Sequence, residues 1–157
     1  MDADELLTTV EKAALLTEVD LFQEVPSDAL AELAARMDET SHEPGEVLLE
    51  PGSADARLWI IVEGTAQVQH DDGRVGELVR GSAFGLLAVL GLDQQDTVTV
   101  TAPCRMLSVA PDEYLDALAD STAFALANLR ALGRRVQACE ARVSATPRDR
   151  TGGGDTR

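Results

Sequence analysis

Hydrophobic positions along this chain change their period twice. Across residues 3–16, Leu6, Leu7, Val10, Ala14 and Leu15 recur along one side of a predicted helix. Val19-Asp20-Leu21-Phe22 follows, and then Pro26-Ser27-Asp28, a helix-start signal with Ser27 as the expected N-cap. Leu30, Leu33, Ala34 and Met37 keep helical spacing, and that helix is expected to end near Asp38–Thr40. The turn Glu43-Pro44-Gly45 opens a different regime. Val47–Glu50 reads as a short strand stopped by Pro51-Gly52-Ser53. Arg57–Glu63 reads as a fully buried strand, and Thr65–Gln69 alternates. Asp72-Gly73 signals a hairpin, with Arg74–Val79 as the return strand. Arg80-Gly81-Ser82 turns again, Asp96–Ala102 alternates cleanly, and Cys104–Val109 is a further strand after Pro103.

The helical period then returns. Pro111-Asp112-Glu113 opens a helix through Ala119, and Asp120-Ser121 caps a longer one from about Thr122 to Ser144. The segment from Thr146 to Arg157 is Gly-rich and polar and is expected to be disordered. Short strands, even spacing and Gly turns predict an α+β, mainly β fold. The pattern points to a jelly roll or barrel, and the expected fold is a double-stranded β-helix or jelly roll flanked by N-terminal helices and a long C-terminal helix. The expected division is a helix at 1–16, one domain at 17–143 and a tail at 144–157.

Charge narrows the partners. The sequence has 157 residues, 45% of them hydrophobic, and a formal net charge of −15. Residues 1–50 hold 14 acids and 2 bases, whereas residues 101–157 hold 7 acids and 8 bases. Affinity for phosphate backbones and anionic membrane surfaces comes from cations, so neither nucleic acid nor a membrane is an expected partner. The acidic half reads first as a solvated surface and second as a docking face for a basic partner. The longest apolar run, Ala83–Leu92, is ten residues, short of the ~20 a span needs. Met1-Asp2-Ala3-Asp4-Glu5 is acidic where a secretory signal is basic. A cytoplasmic location is the expectation.

Catalytic and metal chemistry find little support. Cys104 and Cys139 are the two cysteines and neither has metal-ligand spacing to another Cys or His. His70 beside Asp71-Asp72 sits at a hairpin tip, where acids are usually solvated. No phosphate loop and no nucleophile–base order is present. No enzyme activity, metal or cofactor is expected.

The ordered set of motifs resembles the cyclic-nucleotide-binding domain family, the sensor domain of the catabolite activator and of cyclic-nucleotide-gated channels and kinases. The resemblance covers roughly residues 15–143. Val19-Asp20-Leu21-Phe22 with Val25-Pro26-Ser27 looks like the family's opening motif. Pro44-Gly45-Glu46-Val47-Leu48 and Pro51-Gly52 look like its first strand and turn, and Leu58–Gly64 like the strand and glycine that follow. Gly81-Ser82-Ala83-Phe84-Gly85 is similar to the start of the phosphate-binding cassette, and Thr97–Ala102 to the strand that closes it.

The resemblance implies a glutamate after the Phe-Gly pair for the ribose hydroxyl and an arginine at the cassette's end for the cyclic phosphate. This sequence carries Leu86 and Asp96 there. The implied, degenerate ligand pocket is Phe84, Gly85, Leu86, Leu87, Ala88, Asp96, Thr97 and Val98. Tight binding of cyclic AMP or cyclic GMP is not expected, because a carboxylate replaces a guanidinium that would fork onto phosphate. Arg57, Arg74 and Arg80 are the distant arginines that could in principle reach in as substitutes.

Leu129, Leu132, Val136, Cys139 and Val143 are spaced 3, 4, 3, 4, a heptad pattern. The resemblance makes this region a dimerisation helix, and a homodimer is one expectation. A helix packed on its own barrel is the other. Arg130, Arg134, Arg135 and Arg142 flank the seam and are expected to face a partner's acidic half. The family's transcription factors continue into a helix-turn-helix domain, and no such recognition helix is expected here. The expectation is a stand-alone regulatory module acting through an unknown protein partner. The alternative is a small-molecule or cyclic-nucleotide sensor with an altered pocket.

Overall fold

The computed structural model describes residues 6–52 and 56–145. The expected disorder of the 144–157 tail falls almost wholly outside them. Helices α1 (Thr9–Leu16) and α2 (Ser27–Ala35) precede eight strands. These are β1 (Asp38–His42), β2 (Val47–Leu49), β3 (Leu58–Glu63), β4 (Ala66–Gln69), β5 (Val75–Leu78), β6 (Ala83–Phe84), β7 (Thr97–Val100) and β8 (Cys104–Val109). A single-turn helix α3 (Leu86–Val89) follows β6, and α4 (Pro111–Asp120) and α5 (Thr122–Ala145) follow β8. The strands form two antiparallel four-stranded sheets in the orders β1-β8-β3-β6 and β2-β7-β4-β5. This is the expected mainly β jelly roll with flanking helices.

β3 explains why its sequence is unbroken hydrophobic rather than alternating. Side chains alternate between sheet faces. Leu58, Ile60 and Val62 enter a core shared with the helices, which includes Leu16, Leu21, Phe22, Leu33, Tyr114 and Phe124. Trp59 and Ile61 enter a second core inside the roll, with Leu49, Ala66, Phe84, Val98, Val100 and Met106. Both faces are dry, so both need apolar residues. Each fully buried Leu or Ile there contributes about 1.5–3 kcal/mol of transfer free energy.

Three local expectations need correction. α2 ends at Ala35, and residues 38–42 are strand β1, paired with β8 from Asp38↔Ser108 to His42↔Cys104. An edge strand needs no apolar alternation, and its one buried acid is specifically held. The Glu39 carboxylate bonds Arg105 and accepts the Leu7 amide at 2.7 Å. Ser27 is not the N-cap. Pro26 is, and its carbonyl accepts the Leu30 amide at 3.0 Å while Asp28 serves the Ala29 amide at 2.9 Å. In α1 the buried residues are Leu15 and Leu16, whereas Leu6 and Val10 are exposed. Only the end of α1 meets the core, and its start is held by a Thr8–Glu11 capping box instead.

Candidate ligand-binding cavity

The β6–α3 corner is fixed by a glycine. Gly85 has φ +94°, and a Cβ there would lie 2.2 Å from the Arg57 carbonyl oxygen. No other residue fits that close approach. The corner presents Phe84, whose ring stacks on Trp59 of β3 with centroids 6.2 Å apart. α3 then buries Leu86 and Val89 and leaves Leu87 exposed. On the opposite side, the antiparallel pairing of β4 with β7 sets Gln69 against Thr97. The next residue on each strand therefore meets the other, and His70 Nδ1 lies 2.9 Å from Asp96 Oδ1. The Asp96 amide also bonds the Gln94 side chain at 2.8 Å.

These elements enclose a cavity of about 270 Å³. Its body is apolar, formed by Leu21, Leu49, Leu58, Val68, Leu78 and Val98 together with Phe84, Leu86 and Leu87. Its polar groups are His70, Gln94, Asp96 and Arg135. Of the residues the resemblance implies, Phe84, Gly85, Leu86, Leu87, Asp96 and Val98 line it. Ala88 lines a neighbouring space with Leu92 and Asp93 instead, and Thr97 lines neither.

Arg57, Arg74 and Arg80 do not reach in. Arg57 bonds Ser108 and Asp38, Arg74 bonds Asp72, and Arg80 bonds Glu18 and the Val62 carbonyl. The arginine that lines the cavity is Arg135, from α5. It also borders a second space, lined by Glu18, Asp20, Arg80 and Ser82. Among the described residues no cluster of three or more His, Cys, Asp or Glu has metal-binding geometry.

The model of the cyclic nucleotide-binding domain matches residues 39–121, more than half of the chain. The chain belongs to the cyclic nucleotide-binding domain family. It is 33% identical over 79 residues to a cAMP-dependent protein kinase regulatory subunit from Mycosarcoma maydis, covering 48% of this chain and 15% of that protein. It is 27% identical over 78 residues to human Rap guanine nucleotide exchange factor 6, covering 48% of this chain and 5% of that protein. The chain thus spans a small part of the relatives it matches. The N-terminal domain of a transcriptional regulator from Streptomyces coelicolor A3(2) superposes with a TM-score of 0.67. That match has 24% identity and covers 80% of this chain and 94% of that one, a likeness of fold.

α5 gives this cyclic nucleotide-binding domain a second surface. Phe124, Ala127, Asn128 and Ala131 are buried against the helical core, and Asn128 bonds the Tyr114 hydroxyl. Of the heptad residues, Leu132 packs partly on that core, while Leu129 and Val136 are 64% and 54% exposed and Cys139 is exposed. The Val143 side chain lies outside the described residues. Every described residue from 133 to 140 is exposed. The helix is tied down at the start of that stretch by Glu24, which pairs with Arg130 at 3.4 Å and Arg134 at 3.1 Å. The expectation that these two arginines face a partner's acids is corrected, because the acid they use is their own chain's.

Among the described residues, no helix is long and apolar enough to cross a membrane. His70, expected at a solvated hairpin tip, and Arg135, expected to face a partner, both line the cavity instead, which the sequence does not signal directly. The first was legible only through strand register, and the second carries no local signal.

Proposed function

We propose that this cyclic nucleotide-binding domain is a non-catalytic regulatory module. It does not hold cyclic AMP or cyclic GMP tightly, and it acts through protein contacts in the cytoplasm. The observation that carries the reading is the Asp96 carboxylate on the cavity wall. It stands where the resemblance implies the phosphate's arginine. Like charges ~4 Å apart cost about 4 kcal/mol at an effective dielectric of 20. Losing the charge-assisted bonds forfeits about 1.5–3 kcal/mol more. Together these span several decades of affinity. Leu86 removes the implied ribose contact as well.

The output surface is α5. A helical stretch exposed on all sides is marginal in water by itself. The exposed Leu129, Val136 and Cys139 are therefore assigned to a partner helix, with a second copy of this chain as the first candidate. A thermal-melt screen tests the ligand half of the proposal. Neither cyclic AMP nor cyclic GMP at micromolar concentration is expected to raise the melting temperature. A rise of about 5–10 °C, the signature of ligand near a hundred times its dissociation constant, overturns it. The open cavity of about 270 Å³ favours a second reading, a sensor for a different small molecule.

A further inference from the structure

The cavity's charges have been relocated rather than removed. Asp96 is engaged by His70, and Arg80 of the neighbouring space is engaged by Glu18. Arg135 lines both spaces and makes no ion pair or hydrogen bond among the described residues. Its position is set from one side, because the Glu24 pairs with Arg130 and Arg134 hold the preceding turn of α5 against the domain. The result is an apolar chamber lined by one arginine that has no acid partner among the described residues.

We propose that Arg135 is the anion anchor of this cavity and that the ligand class is a small amphiphilic carboxylate, with its apolar body inside the roll and its carboxylate on Arg135. This rests on the second reading above, that the cavity takes a ligand. Three features select the class. The chamber wall is aliphatic with one phenyl ring, so it favours an apolar body over a sugar. A guanidinium matches a carboxylate with two parallel donors. A ligand with negative charge beside Asp96 would instead meet a like charge. An acid anchored at Arg135 leaves its uncharged body to the rest of the wall, where the Asp96–His70 pair accepts or donates a hydrogen bond to a polar substituent.

The experiment uses octanoate and 1-naphthoate, each beside its uncharged amide, with octylamine, cyclic AMP and cyclic GMP in parallel. Binding is read by thermal melts and by fluorescence of Trp59, the chain's one tryptophan, which stacks on the cavity residue Phe84. The expected result is that at least one acid binds and its amide binds about tenfold or more weakly, the worth of a charge-assisted bond. Arg135→Gln is expected to bring the acid to the level of its amide without changing the unliganded melt, and Arg135→Lys to restore part of the difference. The acid–amide comparison on the unaltered protein decides the matter even if a variant fails to fold. Equal binding of acid and amide, preference for octylamine, binding unchanged in Arg135→Gln, or no binding of either acid up to its solubility overturns the proposal. Failure of the acids with inert cyclic nucleotides leaves the protein-contact reading standing. A response to micromolar cyclic AMP overturns that reading instead.

Discussion

His70 and Asp96 meet 2.9 Å apart across the β4–β7 pair, at the position where the family resemblance implies an arginine. The carboxylate is thus hydrogen-bonded to its neighbour and is part of a polar pair on the cavity wall. Its removal has a specific consequence. Asp96→Arg with Leu86→Glu restores both implied side chains, and Gly85 still fixes the corner that would present the glutamate. The double variant is expected to gain cyclic AMP binding, seen as a melting rise of about 5–10 °C at saturating nucleotide. A folded double variant that stays inert shows that the backbone around α3 no longer accommodates the phosphate.

Glycine tolerance separates a close approach from a mere turn. Gly85 and Gly73 both have φ +94°. A Cβ at Gly73 meets nothing within 4 Å, whereas at Gly85 it meets a backbone oxygen at 2.2 Å. Gly73→Ala is expected to cost about 1 kcal/mol, the left-handed backbone penalty alone. Gly85→Ala is expected to cost about 3 kcal/mol or more, since the β3 backbone must move as well. Urea unfolding of the two variants measures the difference, and equal costs refute the close-approach account.

How far the sequence reveals this depends on where a residue's partner sits. The run Leu58–Val62 is legible because both faces of β3 are dry and the composition must say so. Asp38–His42 is not, because an edge strand takes its order from β8 hydrogen bonds rather than from its own polarity. In the site, Phe84 and Gly85 are visible as a local motif, and Asp96 as a departure from one. His70 is visible only to a reader who first pairs β4 with β7 in the correct register. Arg135 is invisible, since its place at the cavity depends on how α5 crosses the roll and on two ion pairs to Glu24.

Tyr114, the chain's one tyrosine, is fully buried and bonds Asn128. Burial pushes its phenol well above the usual 10.0, with the nearby Arg135 charge opposing the shift. The sign follows from linkage. The folded state binds the phenol proton more tightly than the unfolded state, so this contribution to stability is intact below about pH 10 and is lost as pH rises beyond it. Phenolate absorbance is therefore expected to rise together with loss of far-ultraviolet circular dichroism. A phenolate signal that titrates near pH 10 in a protein still folded refutes it.

The two cysteines are expected to differ in reactivity. Cys104 is buried, its thiol donates to the Thr65 carbonyl at 3.2 Å, and burial raises its pKa. Reaction needs an accessible thiolate. Iodoacetamide at mild alkaline pH is expected to alkylate Cys139, which is exposed, and to reach Cys104 only after unfolding. Peptide mass spectrometry of native and denatured samples distinguishes the sites, and comparable native labelling of Cys104 contradicts its placement.

Leu129 and Val136 decide what α5 is for. Both are large, apolar and more than half exposed, while Ala131 on the opposite side is buried in the domain's own core. A helix that served only its own roll would turn one apolar face inward and need no second. Replacing both exposed residues with Glu places like charges across the seam of a homodimer, where they repel and cannot be desolvated. The same change touches nothing in the roll, so unfolding free energy per protomer is expected to shift by no more than about 0.5 kcal/mol. Sedimentation of the unaltered chain is expected to show a concentration-dependent dimer, and the double variant a monomer with the same circular dichroism. An unaltered chain that stays monomeric throughout removes the second copy as the partner of α5. The helix packed on its own roll and a seam taken by a different protein are then the two readings left, and the same Leu129 and Val136 variants become the control for capture of such a partner.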